Sequence, residues 1–419
     1  MRTVVATVQP SRANAARKRD AFPIVLYDVG TEKLAGVGHP LAEQARAFLP
    51  APPSVTAWDF LSIALAVFGT DRFLLRSSAV DGWTREIALE VELADPEPWN
   101  ALREQIAATL RFLTGDIWKI AFRPNGSRPP TWHPKLTDRD CICLFSGGLD
   151  SFIGAADLLD GKRFPLLVSQ ASPKEGQTQE YLACQLRLDQ NRFEGKSIER
   201  HVPPYEASSR SRSILFLAYG VIAASGLHTG NDRVEVFLPE NGLISINPPF
   251  YRRRMGSLST RTTHPHFIGQ LQSILDSVGL KVVLTNRYRG KTKGEMLVAC
   301  KNQIVRKFAH VTYSCGKGKR LNQHCGRCVP CLIRRAAFSR ANIDDRTGYW
   351  AEDLSTHSNN DDVFAARLAV AQLKTRNIAR WVNEPGPLPY DPAERGVYLD
   401  VVHRGLKELE EFLSGISWQ

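Results

Sequence analysis

The sequence predicts an α/β protein: a parallel five-stranded sheet in its second half, a small α/β domain ahead of it and a helical tail behind. Three observations carry that expectation. From Asp140 onward, short apolar runs alternate with helical patterns, the signature of βαβ units. One of these runs, Cys141–Phe145, passes directly into Ser146-Gly147-Gly148-Leu149-Asp150-Ser151. Four cysteines, Cys315, Cys325, Cys328 and Cys331, stand at the spacing C-x9-C-x2-C-x2-C.

Composition sets the bounds. The 419 residues suffice for two or three domains, and 43% hydrophobic with 23% charged residues is ordinary for a soluble globular chain. No stretch approaches the roughly 20 uninterrupted apolar residues that span a bilayer. The start, Met1-Arg2-Thr3-Val4-Val5, lacks the apolar region of a signal peptide, so a cytoplasmic protein is expected. Of the eight cysteines, four are scattered and four are clustered, which is not a secreted disulfide framework. The net charge of +11 permits nucleic-acid binding, and equally fits a basic surface around an anionic small-molecule site.

Four segments follow in order. Residues 1–125 read as an N-terminal α/β domain: strands at Phe22–Tyr27, Glu86–Leu93 and Trp118–Phe122, helices at Trp58–Phe68 and Trp99–Leu113. Trp83, Trp99 and Trp118 are expected to be packing residues, and no chemistry is evident there. Residues 126–139 read as a Pro-rich linker. Residues 140–341 hold the parallel sheet, with strands expected at Cys141–Phe145, Phe164–Ser169, Ser197–Val202, Val234–Leu238 and Lys281–Thr285. Helices are expected at Ser208–Leu227 and His266–Val278. Residues 342–419 form a helical extension, with amphipathic patterns at Val363–Leu373 and Tyr398–Leu413. Its bland role is packing; partner docking is the alternative.

The glycine segment is the first functional candidate. A buried strand, a Gly-Gly turn and a helix start form a phosphate cradle. The two glycines let backbone approach a ligand, Ser146 and Ser151 add hydroxyls, and the helix N-terminus adds free N–H groups. Asp150 beside phosphate calls for a cation between them, and nucleotide-bound Mg²⁺ is the natural one. No Gly-Lys-Ser/Thr follows, so this is not a Walker A loop.

Pro239–His266 is the second. It is too long and turn-rich for a simple connector, and it holds Glu240, Asn241, Asn247, Arg261 and a Ser/Thr-rich run ending at His264. Its arginines suit phosphate or carboxylate, and the alternative is a solvated surface loop. Arg289–Glu295 follows the last expected strand. Lys291 and Lys293 there either reach a transferring phosphate or simply flank a charged helix cap.

Four thiolates with two x2 steps make a closed tetrahedral Zn²⁺ site, structural because no coordination position stays open. His324 is an alternative ligand, and Arg327, Arg334 and Arg335 flank the knot.

Taken together, the glycine segment, Lys291-Thr292-Lys293-x-Glu295 and Cys-Gly-x-Cys-x2-Cys-Leu-x-Arg-x2-Ala-Phe over Cys325–Phe338 resemble the QueC-like family, the 7-cyano-7-deazaguanine synthases. These are PP-loop ATP pyrophosphatases of the adenine nucleotide alpha hydrolase-like fold, and the resemblance covers Asp140 to Ala341. The extra domain and tail are similar to the QatC branch found in Qat anti-phage defence systems. The resemblance implies ATP-dependent adenylation of a 7-deazapurine carboxylate, then attack by ammonia or a protein amine, with a protein of a defence system as partner. It implies ATP and Mg²⁺ at Leu144, Phe145, Ser146, Gly147, Gly148, Leu149, Asp150 and Ser151, and Zn²⁺ on the four clustered cysteines. Asp150, Lys291, Lys293 and Arg261 are the expected catalytic residues. One departure stands out. Where the family carries a Pro-Asp-Cys-Arg-type substrate segment, this chain has Pro239–His266. Two rival readings remain: a PP-loop enzyme that modifies tRNA, and a non-catalytic nucleotide-sensing subunit.

Overall fold

The structure, a computed structural model, describes all residues except 171–172, 197–198, 201–204, 207–209, 228–231, 252–260, 318–322, 356–361 and 419. Its framework is two mainly parallel sheets. The first half supplies β1 (Arg2–Thr7), β2 (Phe22–Asp28), β3 (Gly30–Thr31), β4 (Leu34–Gly38), β5 (Glu86–Glu92) and β6 (Ile117–Arg123). The second supplies β7 (Cys141–Leu144), β8 (Pro165–Gln170), β9 (Arg192–Gly195), β10 (Glu199–Arg200), β11 (Val234–Phe237) and β12 (Val282–Thr285). The first sheet runs β10-β4-β2-β1-β5-β6, with β3 folded onto β4. β10 joins it antiparallel to β4, so the later half of the chain contributes a strand to the earlier sheet.

The second sheet is the expected parallel five-stranded one, in the order β12-β11-β7-β8-β9. Its third strand in sequence is not at Ser197–Val202. Arg192–Gly195 takes that place, while Glu199–Arg200 pairs in the other sheet and the rest of that run lies outside the described residues. Only Phe193 of β9 is apolar and buried, because an edge strand needs less apolar surface than a central one. The opposite edge, β12, is closed by a side chain. The Gln272 amide donates to the Val282 carbonyl at 2.9 Å and accepts from the Leu284 N–H at 2.7 Å, occupying the place of a neighbouring strand.

Strand order fixes where a ligand can bind. The chain leaves β7 towards β8 and β9, then returns to β11 on β7's other side. The order therefore reverses between β7 and β11, and the crevice beyond their carboxyl ends is the favoured ligand position. Alternating residues cover the two faces. Ile142, Leu144, Leu166, Val168 and Val236 face the helix Arg212–Ser225 and the N-terminal half. Cys141, Cys143, Phe145, Leu167 and Phe237 face the helix Leu149–Asp160.

The helix Val55–Phe73 joins the halves. Ser54 caps it by accepting from the Ala57 N–H at 3.2 Å, and it packs on Arg212–Ser225. One buried cluster runs without a break from Val4 and Leu61 to Leu217 and Val236. Trp99 and Trp118 belong to it, whereas Trp83 is 46% exposed and carries the Arg210 guanidinium 4.4 Å above its ring. A buried ion cluster adds to the junction. Asp71 pairs with Arg85 at 2.5 Å and Arg76 at 3.1 Å, and Asp116 pairs with both arginines. The other Asp71 oxygen accepts from the N–H groups of Arg210 and Ser211 and from the Ser211 hydroxyl, at 2.7 to 2.9 Å. Burial alone would raise the Asp71 carboxyl; Arg85 and Arg76 hold it below the usual range.

The tail packs on the second half. Its long helix, Pro392–Ser414, is capped by Asp391, which accepts from the Glu394 N–H at 2.8 Å. Gly405 lets it approach Leu243, since a Cβ there would lie 2.8 Å from that side chain. Among the described residues no helix is long and apolar enough to cross a membrane.

Replacing Asp71 tests the ion cluster. Asp71→Ala leaves two buried arginines short of a carboxylate, and breaking such a pair costs about 3–5 kcal/mol. A marked fall in the urea midpoint is expected, and an unchanged midpoint contradicts the reading.

Candidate functional site

The crevice is built from the end of β7 outward. Phe145 is buried and donates its N–H to the Val168 carbonyl at 2.7 Å, extending the sheet by one residue. Gly147 then turns the chain at φ +77°, in the left-handed region that favours glycine. Gly148 precedes the helix Leu149–Asp160, and Ser146 is left exposed above it. The Ser151 hydroxyl donates to the Gly148 carbonyl at 2.9 Å and lies 3.3 Å from the Ser146 hydroxyl. Leu144, Ser146 and Ser151 line a cavity of about 500 Å³, within the range of small-molecule sites. Phe145 and Leu149, also expected in the site, belong to the core beneath it.

Asp150 is the electrostatic centre. It sits in the first helical turn, 5% exposed, and forms an ion pair with Lys293. Its other oxygen accepts from the Asn241 backbone N–H at 3.1 Å and side-chain amide at 2.7 Å. Burial pushes this carboxyl up, and Lys293 with Asn241 brings it below the usual range. Glu240 adjoins it and shows the reverse: burial, then the Asp150 charge, raise its carboxyl well above normal. Carboxyl oxygens are hard donors of the kind Mg²⁺ takes, and a divalent cation at Glu240, which lines the cavity, would offset the Asp150 charge that holds its proton on.

Lys293 is placed by local sequence. Thr292 and Glu295 form a capping box: the Thr292 hydroxyl accepts from the Glu295 N–H, and the Glu295 carboxylate accepts from the Thr292 N–H, each at 3.0 Å. Lys293 therefore opens the helix Lys293–Ala299. Lys291 points elsewhere. It is exposed, with its ammonium 5.8 Å from the Tyr288 ring, and is not among the cavity-lining residues.

The structure places Arg261 against the N-terminal half. Its guanidinium lies 4.5 Å over the Phe112 ring and donates to the Phe112 carbonyl at 2.7 Å. Its successors, Thr262 and Thr263, line the cavity instead. His264 then packs on Phe112 and caps the helix Pro265–Ser277, its Nδ1 accepting from the His266 N–H at 3.2 Å. Arg252, Arg253 and Arg254, with Ser259 and Thr260, lie outside the described residues. Arg212, Ser213 and Phe216 also line the cavity. Ser213 and Phe216 carry no signal in the sequence, because a helix start does not reveal which sheet edge it faces.

The cysteine cluster adjoins the cavity through Cys315, which lines it. All four sulfurs lie within 4.8 Å of one another, with Cys315 to Cys328 at 3.8 Å and Cys325 to Cys331 at 4.0 Å. A tetrahedron of Zn–S bonds of about 2.3 Å has sulfur–sulfur edges of about 3.8 Å, so the four fit zinc. Hydrogen bonds from Cys325, Cys328 and Cys331 hold the Cys315 thiol far below its ordinary range, while contact with Cys315 pushes Cys331 far up. A divalent cation would let all four be thiolates together. His324 is engaged elsewhere, its Nε2 accepting from the Ser314 N–H at 3.2 Å. Arg334 is a fully buried strut, donating to the Ala309 carbonyl at 2.7 Å and the Thr312 hydroxyl at 2.8 Å. The knot also touches the glycine turn, because the Tyr313 N–H donates to the Gly147 carbonyl at 2.9 Å.

Comparison with known proteins is local. The 7-cyano-7-deazaguanine synthases of Brucella ovis, Brucella canis and Brucella suis are each 51% identical to this chain over 43 residues. That segment is 10% of this chain and 18% of each relative, so the match spans under a fifth of their length. No protein-family model matches the chain. No solved structure matches it either.

Two outcomes are expected. Cys328→Ser should remove bound zinc, measured by atomic absorption, and lower the melting temperature; full zinc content in a folded variant contradicts the site. Acid should loosen the Phe112 junction. Burial lowers His264 from 6.5 to about 3. A depressed folded value means its stability contribution is complete above about pH 6.5 and is lost as pH falls from there towards 3, by about 1.4 kcal/mol per unit. Urea midpoints between pH 7 and 5 should fall less steeply for His264→Asn, which keeps a cap acceptor but cannot titrate.

Proposed function

We propose that this chain is an ATP-dependent carbon–nitrogen ligase of the QueC-like PP-loop class. It adenylates the carboxylate of a 7-deazapurine such as 7-carboxy-7-deazaguanine and passes the acyl group to an amine. The observation that carries this reading is the glycine turn Ser146–Ser151, at the strand-order reversal, opening into a cavity that Cys315 of the four-cysteine cluster also lines. The 43-residue identity to 7-cyano-7-deazaguanine synthases supports the substrate class.

A carboxylate oxygen attacks the α-phosphorus of ATP and pyrophosphate departs. The amine nitrogen then attacks the acyl carbon, AMP departs, and the nitrogen loses a proton. The chain's part is positioning and charge. The helix N-terminus with Ser146 and Ser151 holds departing phosphate. Lys293, 7% exposed and paired with Asp150, lies behind the cavity wall and steadies the Asp150 charge next to Ser151 and Glu240, which do line it. Mg²⁺, when bound at Glu240 beside Asp150, would neutralise phosphate charge. No nucleophilic side chain is required, and Cys141 and Cys143, whose thiols burial pushes up, lie in the core.

The acceptor follows from chemistry: an adenylate reacts with any accessible amine, so ammonia or a protein N-terminus serves. We place the protein in the cytoplasm, as a component of an anti-phage defence system with a protein partner as acceptor.

Pyrophosphate release with ATP, Mg²⁺ and 7-carboxy-7-deazaguanine tests the proposal. Acid-dependent release is expected, falling at least about a hundredfold in Asp150→Asn, the scale on which a single preorganised electrostatic group acts. Folded protein with no acid-dependent release contradicts it. Release that requires tRNA would favour the RNA-modifying reading, which the net charge of +11 permits.

A further inference from the structure

A second cavity adjoins the first at Thr263. It is a groove of about 880 Å³, and Thr263 lines both it and the cavity beside the glycine turn. Three walls enclose it: the helix Pro265–Ser277 with His266 and Gly269, the turn after β12 with Arg287 and Arg289, and the tail segment 387–390. The tail wall is held in place. Leu388 is buried, and the Arg395 guanidinium donates to the Pro389 and Tyr390 carbonyls at 3.2 and 2.9 Å. No step of the adenylation uses this groove. Gly269 sets it apart from an ordinary surface dip. It stands inside a 13-residue helix, where glycine is less favourable than alanine. Other glycines are there for close packing: at Gly242 and Gly405 a Cβ would meet this chain at 2.1 and 2.8 Å. At Gly269 a Cβ would meet no described atom within 4 Å. The chain's own packing does not need that space, and it opens on the groove.

We infer that the groove takes the acceptor as an extended polypeptide, lying along Gly269 with its N-terminal amine reaching past Thr263 to the adenylate. The inference rests on the ligase reading and deepens it. Ammonia needs no groove. A nucleic acid calls for a wall of positive charge, whereas here Arg287 pairs with Glu235 and Arg289 stands 3.6 Å from Glu394. A polypeptide backbone carries donors and acceptors alike, and the Arg289–Glu394 rim offers both in turn. Pro387, Pro389 and Tyr390, the last 95% exposed, add apolar surface for side chains. The amine nitrogen attacks the acyl carbon, the C–O bond to AMP breaks, AMP keeps the electron pair, and the nitrogen loses a proton to water. The tail then has a part in acceptor choice, since it builds one wall of the groove.

The test gives the full chain ATP, Mg²⁺ and 7-carboxy-7-deazaguanine, and offers either ammonium or a mixture of random lysine-free hexapeptides with free N-termini. Exchange of labelled pyrophosphate into ATP reads adenylation, and mass spectrometry reads the amide. Wild-type protein should join the acid to the peptides and not to their N-acetylated forms. Gly269→Trp fills the groove, so peptide amide should fall at least about tenfold, because the amine is no longer held beside the acyl carbon. Exchange and ammonium amide should stay within about twofold, as expected for a distant independent site. Gly269→Ala barely enters the groove; it should match wild type in all three and melt at a higher temperature. Peptide amide that persists in Gly269→Trp overturns the inference and leaves the ligase reading standing. Ammonium amide with no peptide amide in wild type does the same. Amide formed on added tRNA and abolished by Gly269→Trp gives the groove to nucleic acid and also overturns the inference. Wild-type protein without acid-dependent exchange overturns both.

Discussion

A buried carboxylate organises the second half of this molecule. Asp150 is almost fully enclosed, and a buried charge persists only where opposite charge and hydrogen bonds surround it. Its partners come from far along the chain: Asn241 lies 91 residues on and Lys293 lies 143 residues on. Their convergence fixes the glycine turn, the end of β11 and the capping-box helix at one point. The dependence is mutual. A lysine at a helix N-terminus faces the positive end of the dipole, so Lys293 is held there by Asp150. The network then reaches the tail, where Arg404 pairs with Glu295 at 2.7 Å and Glu408 accepts from the Thr292 hydroxyl. The last helix therefore braces the residue that carries the cation.

The N-terminal half has the same relation to the other side of the crevice. None of its side chains lines the cavity. Its contribution is backbone control: the Asp71 carboxylate caps the approach to one helix, and Phe112 receives Arg261 by ring and carbonyl together. Because the two halves share one core, displacing one would move the walls of the other's cavity. A unit without evident chemistry in sequence can thus shape a site without touching its ligand.

The legible parts of the chain were those whose cause is local. β7, β8, β11 and β12 read directly as apolar runs, as strands inside a parallel sheet must. The cysteine spacing was legible because its ligands lie within one short segment. β9 was not, since Arg192-Phe193-Glu194-Gly195 has a single core residue; Gly195 is there because a Cβ would lie 2.4 Å from the Tyr219 ring. Arg261 shows a different limit. An arginine in a Ser/Thr-rich loop looks like an anion binder, and its partner, Phe112, is 149 residues away. Trp83 likewise reads as core, yet it stays half exposed beneath Arg210. Thr-x-x-Glu at Thr292–Glu295 was visible as a charged cap, but only the fold brings the lysine inside it to Asp150.

The glycine pair and the four-cysteine cluster form one mechanical unit. Gly147 is needed for its positive φ, but a side chain there would also press on Gln179, 3.0 Å from where a Cβ would stand. Gly148 meets the Tyr313 carbonyl at 3.3 Å in the same sense. The chain that crosses here is the one leading into Cys315, and its Tyr313 N–H bonds the Gly147 carbonyl. The turn is thus held from outside by the segment that begins the knot, and the knot is held in shape by whatever bonds its four sulfurs. The four-cysteine cluster, placed next to the glycine turn, thereby braces a turn that its own residues do not fix alone. That contact gives the cysteine cluster a role beside the crevice that asks no chemistry of it.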